Sequence, residues 1–230
     1  MTASPSPRPL PRHLSGWVLP GVAALLTVGP VFVQAPLVRA APMVSALVTA
    51  PLLLLALAAA RHPSPDQQRL GLLLVGFAGS WLGGTLFWGW GRDHPVLHLP
   101  IEAFALPLAI GGLRTRWRIG AAFYLASLLG TALTDGMIAF TGLMPLWPPI
   151  VQADPATAMS LLQQAARSLL SPLSLLALAL TAAWIGMLAW RLKGGDEAGQ
   201  VAAATLASTV LVDGVFLGAA LLAPGLSGLI

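Results

Sequence analysis

Of the eight carboxylates in the chain, three lie within stretches otherwise apolar enough to cross a bilayer: Glu102, Asp135 and Asp213. A carboxylate in hydrocarbon is costly and is kept where it has a partner or a task. Two such groups sharing a low-dielectric space cannot easily both ionise, and the one that keeps a proton can serve as a general acid or a relay. The chemistry suggested is proton transfer, with Glu102 as candidate acid. Asp135 and Asp213 would steady developing positive charge or relay protons. The alternative is structural: each acid hydrogen-bonded to Ser, Thr or backbone groups, joining helices.

Spacing adds candidate partners. His98 precedes Glu102 by four residues, which places the two on one helical face if the helix survives Pro100. His94 extends the pattern to H-x3-H-x3-E, but Pro95 and Pro100 interrupt it and no second ligand pair is present, so no metal site is assigned. The segments 131–136 (TALTDG) and 209–214 (TVLVDG) share the form T-x-L-x-D-G. In each, Thr131 or Thr209 lies one turn before its Asp, where its hydroxyl could donate to that carboxylate, and the following Gly allows a neighbour to approach. Arg39, Arg92 and His98 belong near the same level, and Trp81 sits among glycines that leave room beside its helix. These residues, with Thr131 and Thr209, form the expected ligand-binding set.

The elements that must hold them follow from composition. The 230 residues are 57% hydrophobic and 9% charged, where soluble domains carry about a quarter charged residues. Mean hydropathy is +0.81. Seven apolar stretches run over roughly 16–34, 40–60, 70–90, 97–113, 119–143, 170–190 and 200–223. The fourth carries Pro100 and Pro107 and is expected to be kinked or broken. Residues 156–169, with Gln163, Gln164 and Arg167, read as an interfacial amphipathic helix. Trp88 and Trp90 read as an interfacial belt.

Residues 1–15, with Pro5, Pro7, Pro9 and Pro11, read as a disordered tail, and 16–230 as one transmembrane domain whose first span is retained. The chain has no cysteine, which excludes disulfides and thiolate chemistry. Its net charge of +4 comes from scattered arginines that form no basic face, so no nucleic acid is expected as a partner. With seven spans, Arg8, Arg12, Arg61, Arg69, Arg114, Arg116, Arg118, Arg191 and Lys193 fall on one side, against Arg39, Arg92 and Arg167 on the other. That bias places the N-terminus in the cytoplasm. All three acids then lie at the midplane or in the external half, Glu102 roughly 7–8 Å deep.

Four stretches, 32–40 (FVQAPLVRA), 79–90 (GSWLGGTLFWGW), 98–109 (HLPIEAFALPLA) and 123–135 (FYLASLLGTALTD), together resemble a cyanobacterial family of uncharacterised integral membrane proteins. The resemblance implies a photosynthetic membrane, thylakoid or plasma, and brings no activity. The segment 99–102 (LPIE) is also similar to the P-x-E-E segment of small membrane carotenoid cyclases and hydratases, whose carboxylates protonate a polyene. Here Ala103 stands at the second acidic position.

The expected fold is all-α, a bundle of about seven transmembrane helices. The leading functional expectation is an outward-facing or lumen-facing polar pocket for an isoprenoid-type membrane lipid or pigment, with acid–base chemistry; no cofactor is identified. A non-enzymatic assembly factor for photosynthetic membrane complexes is the alternative, and a small proton-coupled transporter the third. The topology is testable in this cysteine-free chain. A membrane-impermeant thiol reagent should label His94→Cys on intact cells, and Gly194→Cys only after permeabilisation. The opposite pattern would invert the bundle.

Overall fold

A computed structural model describes residues 16–226, so the expected tail at 1–15 lies outside the described residues. The described chain is helical, and seven segments are long and apolar enough to span a membrane: Val18–Ala40, Pro42–Ala59, Pro65–Gly91, Pro95–Gly112, Arg118–Phe140, Pro172–Lys193 and Glu197–Leu222. Large apolar side chains such as Leu25, Phe32, Leu54, Leu176 and Trp190 point outward. A water-soluble surface seldom carries so many together, whereas lipid solvates them. The protein is an integral membrane protein.

Helix α1 (Val18–Ala40) runs six residues past its expected end because Pro30 and Pro36 are absorbed within it. Apolar surroundings favour continuing the helix over exposing its backbone groups. The single residue Ala41 separates it from α2 (Pro42–Ala59), which starts with proline at a position whose N–H would be unpaired anyway. Helix α3 (Pro65–Leu86) continues into a π-helical turn, Phe87–Gly91. The fourth span is broken, as its prolines suggest. A 3₁₀ turn (Pro95–Leu97) leads into α4 (His98–Glu102), and a second 3₁₀ turn (Ala103–Ala105) into α5 (Leu106–Gly112). Each internal proline lies in the first turn of its piece, the position a helix tolerates.

Helix α6 (Arg118–Phe140) ends in a Schellman motif. Gly142 takes φ 73° while Gly142 N–H and Leu143 N–H reach back to the Ala139 and Ile138 carbonyls. The short α7 (Trp147–Gln152) precedes α8 (Pro155–Ser168), the expected amphipathic helix. The Asp154 carboxylate caps α8 and is held below the usual carboxylate range by hydrogen bonds from Thr157 and Ala156. The apolar face of α8 lies on the last long helix, with Leu162, Ala165 and Ala166 against Ala220. Helices α9 (Pro172–Lys193) and α10 (Glu197–Leu222) are capped by Ser171 and Asp196.

Helix α3 is the most enclosed span, 61% buried where the others lie between 6% and 22%. It packs on α2 and α6, while α10 packs on α6, α9 and α1. Small residues set these approaches. A Cβ on Gly76 would collide with the Gly120 backbone of α6, and one on Gly120 with the Leu72 carbonyl of α3. Between α6, α9 and α10 the contact is largely alanine, with Ile185 and Leu206. At the end where α3, α6 and α10 begin, Arg69 pairs with Asp66 (3.1 Å) and Glu197 (3.0 Å), and Arg118 with Asp196 (2.9 Å). This is the arginine-rich end of the bundle; the other is called distal below.

Backbone cannot yield as a side-chain tip can, so Gly76→Ala should lower stability by about 1–3 kcal/mol. Gly186→Ala, with nothing within 4 Å of the added methyl, should be neutral or slightly stabilising. Thermal unfolding in detergent compares the two.

Candidate functional site

The break in the fourth span positions the first acid. At the 3₁₀ turn Leu106 N–H bonds Ala103 O, one residue short of the α-helical register, and the Tyr124 hydroxyl of α6 meets the Glu102 carbonyl and the Ala105 N–H there. It donates to Glu102 O and accepts from Ala105 N–H (3.1 Å). One buried side chain thus braces the backbone at the break, where helical bonding changes register. On the other flank, α3 makes room with Gly83, where a Cβ would stand 3.1 Å from Glu102 Cα.

Five further side chains complete the constellation. His98 Nε2 lies 3.3 Å from Glu102 Oε1, and His98 Nδ1 lies 3.0 Å from Asp135 Oδ1. Thr131 donates to Glu102 Oε2 (2.8 Å), and Thr134 donates to Asp213 Oδ2 (2.8 Å). Helices α4, α6 and α10 are joined through these contacts. A neutral imidazole has one N–H, yet both ring nitrogens here face carboxylates. The contacts are satisfied when His98 is doubly protonated, or when one carboxylate carries the proton. The group is therefore organised around shared protons. Phe87 stacks on the His98 ring with centroids 3.9 Å apart and an interplanar angle of 23°, presenting a π face to it. The π-helical turn Phe87–Gly91 places Phe87 there, and Trp147 Nε1–H anchors the turn's exit by donating to Arg92 O (2.9 Å).

Two cavities flank the constellation. The first, about 410 Å³, runs along α1 from Leu26 to Arg39 between α1, α3, α6 and α10. Its wall includes Gln34, Ser80, Ser127, Thr131, Glu102, Asp213, Arg39 and Arg92. The second, about 490 Å³, lies among α6, α8, α9 and α10 under Trp88 and Trp147, walled by Leu, Ile, Met and Ala side chains. Asp135, Asp213, His98 and Thr134 line one side of it. The hydroxyls of Thr141 and Thr181, also on its wall, donate to the Met137 carbonyl and sulfur. His98, Thr134 and Asp213 touch both spaces, Glu102 only the first and Asp135 only the second.

The expected site residues can now be placed. Glu102 and Asp135 are joined through His98, and Asp213 accepts from Thr134, the residue next to Asp135 on α6. The in-helix bonds expected from the T-x-L-x-D-G repeat do not form. Thr131 turns to Glu102 instead, and Thr209 donates to its own helix at Thr205 O (3.2 Å), because helix packing sets which way each hydroxyl faces. Trp81 is buried on the wall of the first cavity, its Nε1–H donating to Ser45 O (3.1 Å). Trp88 joins the site against Trp147 (centroids 5.6 Å), while Trp90 is outward. His94 is exposed and outside the constellation. Arg39 and Arg92 border the first cavity, and among the described residues neither has a carboxylate at ion-pair distance. Among those residues no group of three His, Asp or Glu side chains is arranged to hold a metal ion.

Tyr124, Thr134, Phe87 and Gln34 escaped the sequence reading. Tyr124 carried a usable signal, being the chain's one tyrosine and lying inside a span. Gln34 is buried; its Nε2 donates to Trp81 O (2.6 Å) and Thr85 Oγ1 (2.7 Å), and Ser45 Oγ extends this chain to Thr85 (2.9 Å).

A family model matches residues 23–221, and the chain belongs to that family, described as proteins of unknown function (DUF3120). Neither the curated proteins nor the solved structures gave a match.

Tyr124→Phe removes the group that pairs Glu102 O and Ala105 N–H and should cost about 1–3 kcal/mol in detergent unfolding. Loss of less than about 0.3 kcal/mol would mean that the break is satisfied by other means.

Proposed function

We propose that this member of a family of unknown function seats an isoprenoid-type lipid or pigment in the distal half of the bundle and exposes it to acid–base chemistry. The observation that carries the reading is the second cavity, an apolar chamber with two carboxylates and an imidazole on one wall. Its volume of about 490 Å³ lies within the range of small-molecule sites, roughly 300–1,000 Å³. Such a chamber favours a ligand that is apolar over most of its length and reactive, or polar, at one place. Its methionines adapt to an irregular chain, and Trp88, Trp147 and Phe87 supply π faces that stabilise cationic character. Proton donation to a double bond creates such character, and Asp135 and Asp213 would hold it electrostatically.

Mass spectrometry of the molecules that co-purify in mild detergent tests the reading. The wild-type protein should carry a stoichiometric isoprenoid-type molecule. Ala182→Phe, which fills the second cavity, should lose it, and Asp135→Asn should retain it chemically unchanged or accumulate a precursor. Equal occupancy in Ala182→Phe, or no such molecule in any preparation, would remove the reading. Membrane-complex subunits bound equally by all variants would favour an assembly factor instead.

A further inference from the structure

The division of the constellation between the two cavities has a direction. Glu102 borders only the first cavity and Asp135 only the second, while His98 contacts both carboxylates, one through each ring nitrogen. The first cavity is the more polar of the two. Both Nε2 hydrogens of buried Gln34 are used, so its Oε1 is left as an acceptor on that wall, beside Ser80, Ser127 and Arg92. A space of about 410 Å³ that carries several donors and acceptors among apolar walls has room and partners for water at its polar side. Gly84 lies on this wall between Gln34 and Glu102, its Cβ position 3.5 Å from Gln34 Oε1 and 3.6 Å from Glu102 Oε1.

We propose that His98 is a one-residue proton bridge through the partition between these cavities, with Glu102 as its water-side entry and Asp135 as its exit into the apolar chamber. The step balances without another reactant. A hydrated proton in the first cavity protonates Glu102. Glu102 passes it to His98 Nε2, and His98 releases the Nδ1 proton to Asp135, so one positive charge crosses and the imidazole ends as the other neutral tautomer.

The charged groups that share these walls are Arg39 from α1, Arg92 after the π-helical turn, and Asp213 from α10; the parts of α8 and α9 lining the second cavity contribute none. Asp213 is engaged by Thr134 and lies beside the path. The assignment deepens the lipid reading, on which its choice of Asp135 as the acid meeting the ligand rests. The proton path itself is a property of the empty protein.

The test is ¹⁵N NMR of His-labelled protein in detergent, without added ligand, reading proton exchange between water and the His98 ring; His98→Gln identifies its signals. Glu102→Gln should slow exchange by about tenfold or more, and Asp135→Asn should leave it within about twofold. Two variants outside the network guard against misfolding. Ser127→Phe, which fills the polar cavity, should slow exchange like Glu102→Gln, and Ala182→Phe, which fills the apolar one, should not. If Glu102→Gln and Asp135→Asn change exchange equally, or if Ala182→Phe is the variant that slows it, His98 is a static clasp and the proposal falls. Preserved asymmetry in a protein that binds no isoprenoid would overturn the lipid reading and leave the bridge standing.

Discussion

Hydrocarbon offers no water to a backbone group that loses its helical partner, and that constraint shapes the site. Where the fourth span breaks at Ala103–Ala105, the Tyr124 hydroxyl serves as donor and acceptor at once. The break turns Glu102 toward α6 and α3 instead of lipid, and Thr131 holds its second oxygen. His98, one turn earlier in α4, then reaches Asp135 on the same helix that carries Tyr124. A proline-interrupted span that would otherwise be a weakness thereby becomes the support for a proton-sharing group.

Glycine gives α3 its central place. Gly76 admits the Gly120 backbone of α6, and Gly83 and Gly84 admit Glu102. Between helices in lipid there is little hydrophobic driving force, so close van der Waals contact and interhelical hydrogen bonds hold the bundle. The chain Ser45–Thr85–Gln34–Trp81 serves that purpose for α1, α2 and α3. Of these α3 glycines, Gly84 also lines the first cavity.

Burial would be costly for each acid alone, and the arrangement offsets it by sharing. Glu102 and Asp135 face one imidazole between them, and Asp213 takes a hydroxyl from the helix that bears Asp135. The result is a partition with the more polar space on one side and the more apolar one on the other. Such a partition suits chemistry in which a proton must reach a hydrophobic molecule while bulk water is kept from it.

Hydropathy and charge are sums over about twenty residues, so the seven spans and the helical class were legible in the sequence, and the prolines marked the broken fourth span. The sequence also placed His98 beside Glu102, because a four-residue spacing is a property of one helix. The rotation of each helix about its axis was decided only in three dimensions. These spans are apolar around most of their circumference, so no amphipathic stripe fixes which face turns inward. Thr131 and Thr209 accordingly turned away from their own aspartates, and Thr134, Tyr124, Phe87 and Gln34 took roles their local sequence does not state. Which acid meets which cavity depends on those rotations, and contacts such as Gly76 on Gly120 and Gly130 on Thr209 set them.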